Sequence, residues 1–158
     1  MGYAFVNFAF NETQVVFNSS NPRALQASQI KSLEKYIEKD GLQNNIPAHA
    51  LVCQVSESAI DQSSLKPSTA TSFLPVKFAN NVDLKSLKLD FLAGQHRHSW
   101  LITTRYKDDL QKWNKTSQIH AKLATDSQAW RSNERSYTSL KEGLEACKWL
   151  VAFYSEGK

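Results

Sequence analysis

Apolar residues along the chain fall into two periodicities, and the shorter comes first. Tyr3, Phe5, Val6, Phe8 and Phe10 are strand formers, Asn11-Glu12-Thr13 supplies turn chemistry, and Val15-Val16-Phe17 resumes the β pattern. Residues 1–20 are therefore expected to form an N-terminal β-hairpin extension. Pro22 then holds the chain extended, Ser28 offers an N-cap, and Ile30, Leu33 and Ile37 share one helical face. Asp40-Gly41 closes that helix, because glycine takes positive φ at little cost.

Beyond Pro47, HALVCQV reads as a buried strand. Residues 56–71, rich in Ser, Thr and Gln, read as a loop with room for a short turn of helix. Leu87, Leu89 and Phe91 alternate in a second interior strand that runs out at Gly94. From His96 to about Lys112, the spacing of Trp100, Leu101, Thr104 and Leu110 predicts a helix with a buried stripe. SYTSLKEGLEACKW predicts another, with Leu140, Leu144 and Cys147 on its apolar side, and WLVAFY a last strand. Strands alternating with helices predict an α/β (α+β) fold, a mixed sheet with packed helices. A chain of 158 residues has room for one such domain, 1–158, with its core at about 21–154. The chain stops a few residues after a strand, which suggests a piece of a longer protein.

Composition narrows the picture. No apolar run is long enough to cross a bilayer, and MGYAFVNFAF lacks the basic start and extended apolar stretch of a secretory signal. No membrane partner and an intracellular location, cytoplasmic or nuclear, are the expectations. The sequons at Asn11, Asn18 and Asn114 are then incidental. Cys53 and Cys147 stand alone, which suggests neither a disulfide framework nor a zinc site. The net charge of +4 comes from scattered basic residues, so a polyanionic partner is permitted without being required.

The densest chemistry lies in LDFLAGQHRHSWL, residues 89–101. The first-turn amides of a helix stabilise an anion, and a glycine before them removes a Cβ from its path. Arg97 can fork onto phosphate oxygens, and His96 adds a donor whose charge depends on pH. A purely structural alternative has Gly94 shaping the turn, Arg97 paired with Asp90, and His96 and His98 facing solvent. Elsewhere, His98 and His120 could join His96 on a metal, but no carboxylate or cysteine stands at ligand spacing. Asp108-Asp109 and Asp126 read as surface charges and caps. Trp113 and Trp130, each beside Lys or Arg, are core residues or base-stacking platforms.

Two ordered segments, NPRALQASQIKSLEKYIEKDGLQNNIPAHALV and AGQHR, together resemble the ParB/sulfiredoxin superfamily. The likeness covers roughly Val15 to Arg105, and AGQHR is similar to the Asp-Gly-Gln-His-Arg signature of a ParB-related group from DNA-modification systems. It implies a ParB/sulfiredoxin-like sheet with a Gly-x-x-Arg phosphate loop between a strand and a helix. Gly94, Gln95, His96 and Arg97 would form that loop. Ser32 would stand near the nucleotide and Lys31 would replace a lysine one turn earlier, where this chain has Gln29. Arg23 would supply the lead-in arginine. Three departures qualify the likeness. Gln95 stands where sulfiredoxin has its catalytic cysteine, so that reductase activity is excluded. Trp100 replaces the usual alanine, and no helix-turn-helix follows.

The resulting expectation is a nucleotide-phosphate (ATP/CTP-type) binding domain, with Mg2+ accompanying the nucleotide and a homodimer compatible with the reading. Slow NTP hydrolysis or phosphoryl transfer would fall to His96 and Arg97 as catalytic candidates. The alternatives are a DNA-binding, nuclease or DNA-modification accessory module, and an interaction domain that has lost its ligand.

Overall fold

The apolar run near the C-terminus becomes a strand buried on both faces. In the computed structural model, which describes residues 1–17, 25–123 and 127–156, β5 (Lys148–Ser155) is buried without alternation from Trp149 to Phe153. It lies in a five-stranded mixed sheet with β1 (Gly2–Asn7), β2 (Gln14–Phe17), β3 (Leu51–Val55) and β4 (Lys88–Ala93). The order is β1-β5-β3-β4-β2. β5 runs parallel to β3, with Leu51 opposite Val151 and Cys53 opposite Phe153. β3 is antiparallel to β4, which brings Cys53 opposite Phe91 across a local register shift. Leu51, Cys53, Leu89, Phe91 and Val151 are all sealed from solvent, so the core sits on β3 and its two neighbours.

Four α-helices complete the described chain: α1 (Ala27–Asp40), α2 (Gln95–Trp100), α3 (Lys107–Lys122) and α4 (Gln128–Leu144). The α/β class expected from the alternation is the one found, in a single compact domain. No described helix is long and apolar enough to cross a membrane. α1 packs Ile30, Leu33 and Ile37 against the core and ends as expected, with the Gly41 N–H donating to the Ile37 carbonyl at 2.8 Å. Its start differs from expectation. Gln26, not Ser28, is the N-cap, and the Ser28 carbonyl instead accepts from Ser32 Oγ.

Three other expectations are corrected. The N-terminal segment is not a β-hairpin: β1 pairs with β5, whereas β2 pairs in parallel with β4 at the opposite edge. Asn7 turns the chain away, its Oδ1 accepting from the Ala9 and Phe10 amides while its Nδ2 donates to the Leu144 carbonyl. Next, the helix expected over 96–112 is broken. A π turn at Leu101–Arg105 inserts one residue, the Tyr106 N–H bonds to the Leu101 carbonyl, and Tyr106 rather than Thr104 faces inward. Finally, α4 starts at Gln128, where Ser127 Oγ accepts from the Trp130 amide, and it ends before Cys147. Arg23, Pro22, the Asn18 sequon and Asp126 lie outside the described residues.

Candidate functional site

At the end of β4 the chain makes one sharp left-handed step. Gly94 has φ 100° and ψ 14°, a conformation that L side chains rarely adopt. A Cβ here would also lie 2.1 Å from Leu51 Cδ2, inside the sealed core. The glycine is thus demanded twice, by its φ and by its packing on β3.

The four residues after it diverge in role. Gln95 is half-buried at the first helical position. His96 Nε2 accepts the Gln26 N–H at 3.2 Å, which ties α2 to the start of α1 and places any ring proton on Nδ1. His98 turns inward, with its ring 4.9 Å from Phe8 and 5.3 Å from Phe17. Burial holds its pKa down at about 4, so it is a neutral core residue and not the solvent-facing one of the purely structural alternative. Trp100 also points into the core, 5% exposed and edge-on to Trp149 at 6.5 Å, and does not cover the corner.

Arg97 opens onto free space. Its guanidinium is half-buried and, among the described residues, has neither an ion-pair nor a hydrogen-bond partner. The pairing with Asp90 that the structural alternative offered is therefore not made. Desolvation pulls its pKa below the usual arginine value, the direction expected when a cation leaves water. It lines a cavity of about 250 Å³ with Leu33, Tyr36, Ile37, Gln43, His49 and Trp149.

The opposite walls of that cavity are held in place by hydrogen bonds. The Trp149 indole N–H donates to the His49 carbonyl at 2.9 Å, anchoring the short turn Pro47–His49 over β5. Tyr36 Oη donates to Gln43 Oε1 at 3.0 Å across the end of α1. The Tyr36 and His49 rings stand 6.4 Å apart at 52°. Apolar and aromatic surface with one amide and one cation suits a planar ring bearing a negative group.

The remaining expected residues are not gathered there. Ser32 and Lys31 are exposed on α1, neither lines the cavity, and Ser32 Oγ is engaged with the Ser28 carbonyl at 3.0 Å. Arg23 falls outside the described residues. Sequence reasoning missed Tyr36, Gln43 and His49. The available signals were an aromatic beside the apolar face of α1 and a histidine in the Pro-led turn before a buried strand. His120 is far along the helical hairpin, its ring 3.8 Å from that of Tyr137. Among the described residues no three His, Cys, Asp or Glu side chains gather in a way that could hold a metal ion. Both thiols are buried and pushed up to about 12, mainly by desolvation, so neither is poised as a nucleophile.

No family model, curated protein or solved structure matches this chain.

Proposed function

We propose that the chain binds a phosphorylated nucleotide at the cavity between α1, the turn Pro47–His49 and the start of α2. The observation that carries this reading is Arg97: a half-buried guanidinium without a counter-ion among the described residues, facing aromatic walls. Burying a cation without a partner is unfavourable, and an anionic ligand would relieve the cost. Its fork matches phosphate oxygens, and the first-turn amides of α2 add partial positive charge nearby. Tyr36 and His49 would stack the base, and Gln43 would offer an amide to its edge.

The resemblance of the AGQHR segment to a phosphate loop supports the same reading, with one revision. Leu51 occupies the space a Cβ would take at Gly94, so the phosphate belongs on the guanidinium and not against the glycine. A cavity of about 250 Å³ is smaller than the usual ligand site, which suits one ring with the phosphate tail running outward. Among the described residues its lining contains no carboxylate, so Mg2+ would arrive with the nucleotide, held by phosphate oxygens. We place no hydrolytic step here: among the described residues no carboxylate lines the cavity to activate water, His96 already uses Nε2, and His49 is assigned to the base.

Calorimetric titration with ATP, ADP and CTP, with and without Mg2+, tests the reading. At least one nucleotide should bind, and Arg97→Ala should weaken it by roughly 10- to 100-fold, the cost of a charge-assisted bond. Negligible heat with all three, or an Arg97→Ala variant that binds like wild type, would overturn it.

A further inference from the structure

We infer that the α3–α4 hairpin carries a second, independent anion site: an open groove for the phosphate backbone of nucleic acid. The two helices are joined by an aromatic seam. Trp113 stacks on Tyr137 at 5.0 Å, and His120 lies between Tyr137 and Trp130 at 3.8 and 5.6 Å. Beside this seam the helices leave a groove of about 470 Å³, lined by Lys112, Thr116, Arg135, Ser136, Ser139 and Leu140. Two cations and three hydroxyls converge there, with no carboxylate among them. Leu140 forms the apolar part of the lining.

The donors that line the groove are unused among the described residues. Asp108 and Asp109 stand four and three residues before Lys112, the spacing for helical ion pairs, but Lys112, like the other described cations, pairs with no described carboxylate. Arg135, facing it from α4, is likewise unpaired among them. The hydroxyls outside the groove are mixed, since Thr138 makes no hydrogen bond among the described residues. Ser117 and Ser132, outside the groove, bond back to the Asn114 and Gln128 carbonyls of their own helices. Thr116, Ser136 and Ser139, inside it, make no such bond among the described residues. Unpaired cations flanked by free hydroxyls are the donor set that phosphate oxygens take. The groove is open along the helices and not closed into a pocket, which favours a phosphodiester chain over a small enclosed anion. Trp113 and Trp130 are engaged in the seam. Recognition would therefore run through the backbone, with little sequence preference.

The test is fluorescence anisotropy with a labelled oligonucleotide, single-stranded and duplex, across a range of salt. Wild type should bind at low salt with a steep salt dependence. Because both cations are exposed, Lys112→Ala/Arg135→Ala should fold normally by circular dichroism. Losing two phosphate contacts should flatten the slope of log K against log salt by roughly 1.4 on a single strand and 1.8 on a duplex. Thr116→Ala/Ser136→Ala/Ser139→Ala should weaken binding while leaving that slope unchanged. Arg97→Ala should leave oligonucleotide binding intact, which separates this site from the nucleotide cavity whatever the outcome there. The inference is overturned if wild type does not bind, if the double alanine variant keeps the full slope, or if an acidic peptide of equal charge binds as tightly.

Discussion

The sheet and the α3–α4 hairpin solve the same problem by opposite means. In the sheet, Leu51, Cys53, Leu89, Phe91 and Val151 are sealed from solvent and come from strands far apart in sequence. In the hairpin no residue of α3 is fully buried and only Leu144 of α4 is, at the end that meets β5. The hairpin is held by neighbours in sequence through a half-exposed seam of Trp, Tyr and His. A sheet built on long-range contacts should unfold as one unit, whereas a hairpin with so little buried surface can open by itself. The chemistry divides along the same line. The cavity at Arg97 has walls fixed by Trp149 and Tyr36, and the groove at Lys112 and Arg135 lies on the more adaptable part.

The contrast is broken most directly at Gly94. Gly94→Ala must place a Cβ at φ 100° and 2.1 Å from Leu51 Cδ2, combining backbone strain with overpacking of a sealed core. The expected loss is about 3 kcal/mol or more in urea denaturation, spread over the whole domain. Adding Leu51→Ala should cost less than the two single losses combined, since the second change removes the atoms the first one meets. Strict additivity would mean that Leu51 is not what the glycine accommodates.

The parts of this arrangement that could be read from the sequence are those where one segment carries its own signal. WLVAFY identifies itself as a strand covered on both faces, and the Leu89–Phe91 alternation identifies one face of β4. Gly41 and Gly94 identify the positive-φ steps. What was hidden depended on partners. Nothing in YAFVN says that β1 pairs with β5 rather than with β2. The hairpin seam stayed hidden because His120 counts as polar until Tyr137 and Trp130 cover its ring. Of the anion motif, the order Gly-Gln-His-Arg was visible, but not that His96 would serve α1, that His98 would join the core, or that Arg97 would face a cavity.

His98 gives the next largest effect and belongs to the sheet side. Its folded pKa of about 4 lies below the ordinary value of 6.5, so the unfolded chain takes up a proton that the folded chain refuses. The contribution is complete above about pH 6.5, is lost progressively as pH falls toward 4, and changes no further below that. Its full size is up to about 3 kcal/mol, from 1.36 kcal/mol per pKa unit. His98→Phe fills the same place between Phe8 and Phe17 without a titrating group. Wild type should lose stability relative to this variant between pH 6.5 and 4, and parallel stability curves would show that His98 is not held neutral.

The smallest effect should be the most local. Trp113 is half-buried between Tyr137 and Phe10, with ring separations of 5.0 and 5.2 Å, and it links the seam to the core. Trp113→Ala should cost about 2 kcal/mol, less than the 3–5 kcal/mol typical of a fully buried tryptophan. If the hairpin is a separate unit, that loss falls on α3 and α4 alone. Amide hydrogen exchange should then quicken across both helices while β3 and β5 keep their protection. Oligonucleotide binding should weaken with it, because the spacing of Lys112 and Arg135 depends on the seam, and nucleotide binding at Arg97 should not change. Equal loss of protection in sheet and hairpin would instead make the molecule one cooperative body, and the groove would then be as rigid as the cavity.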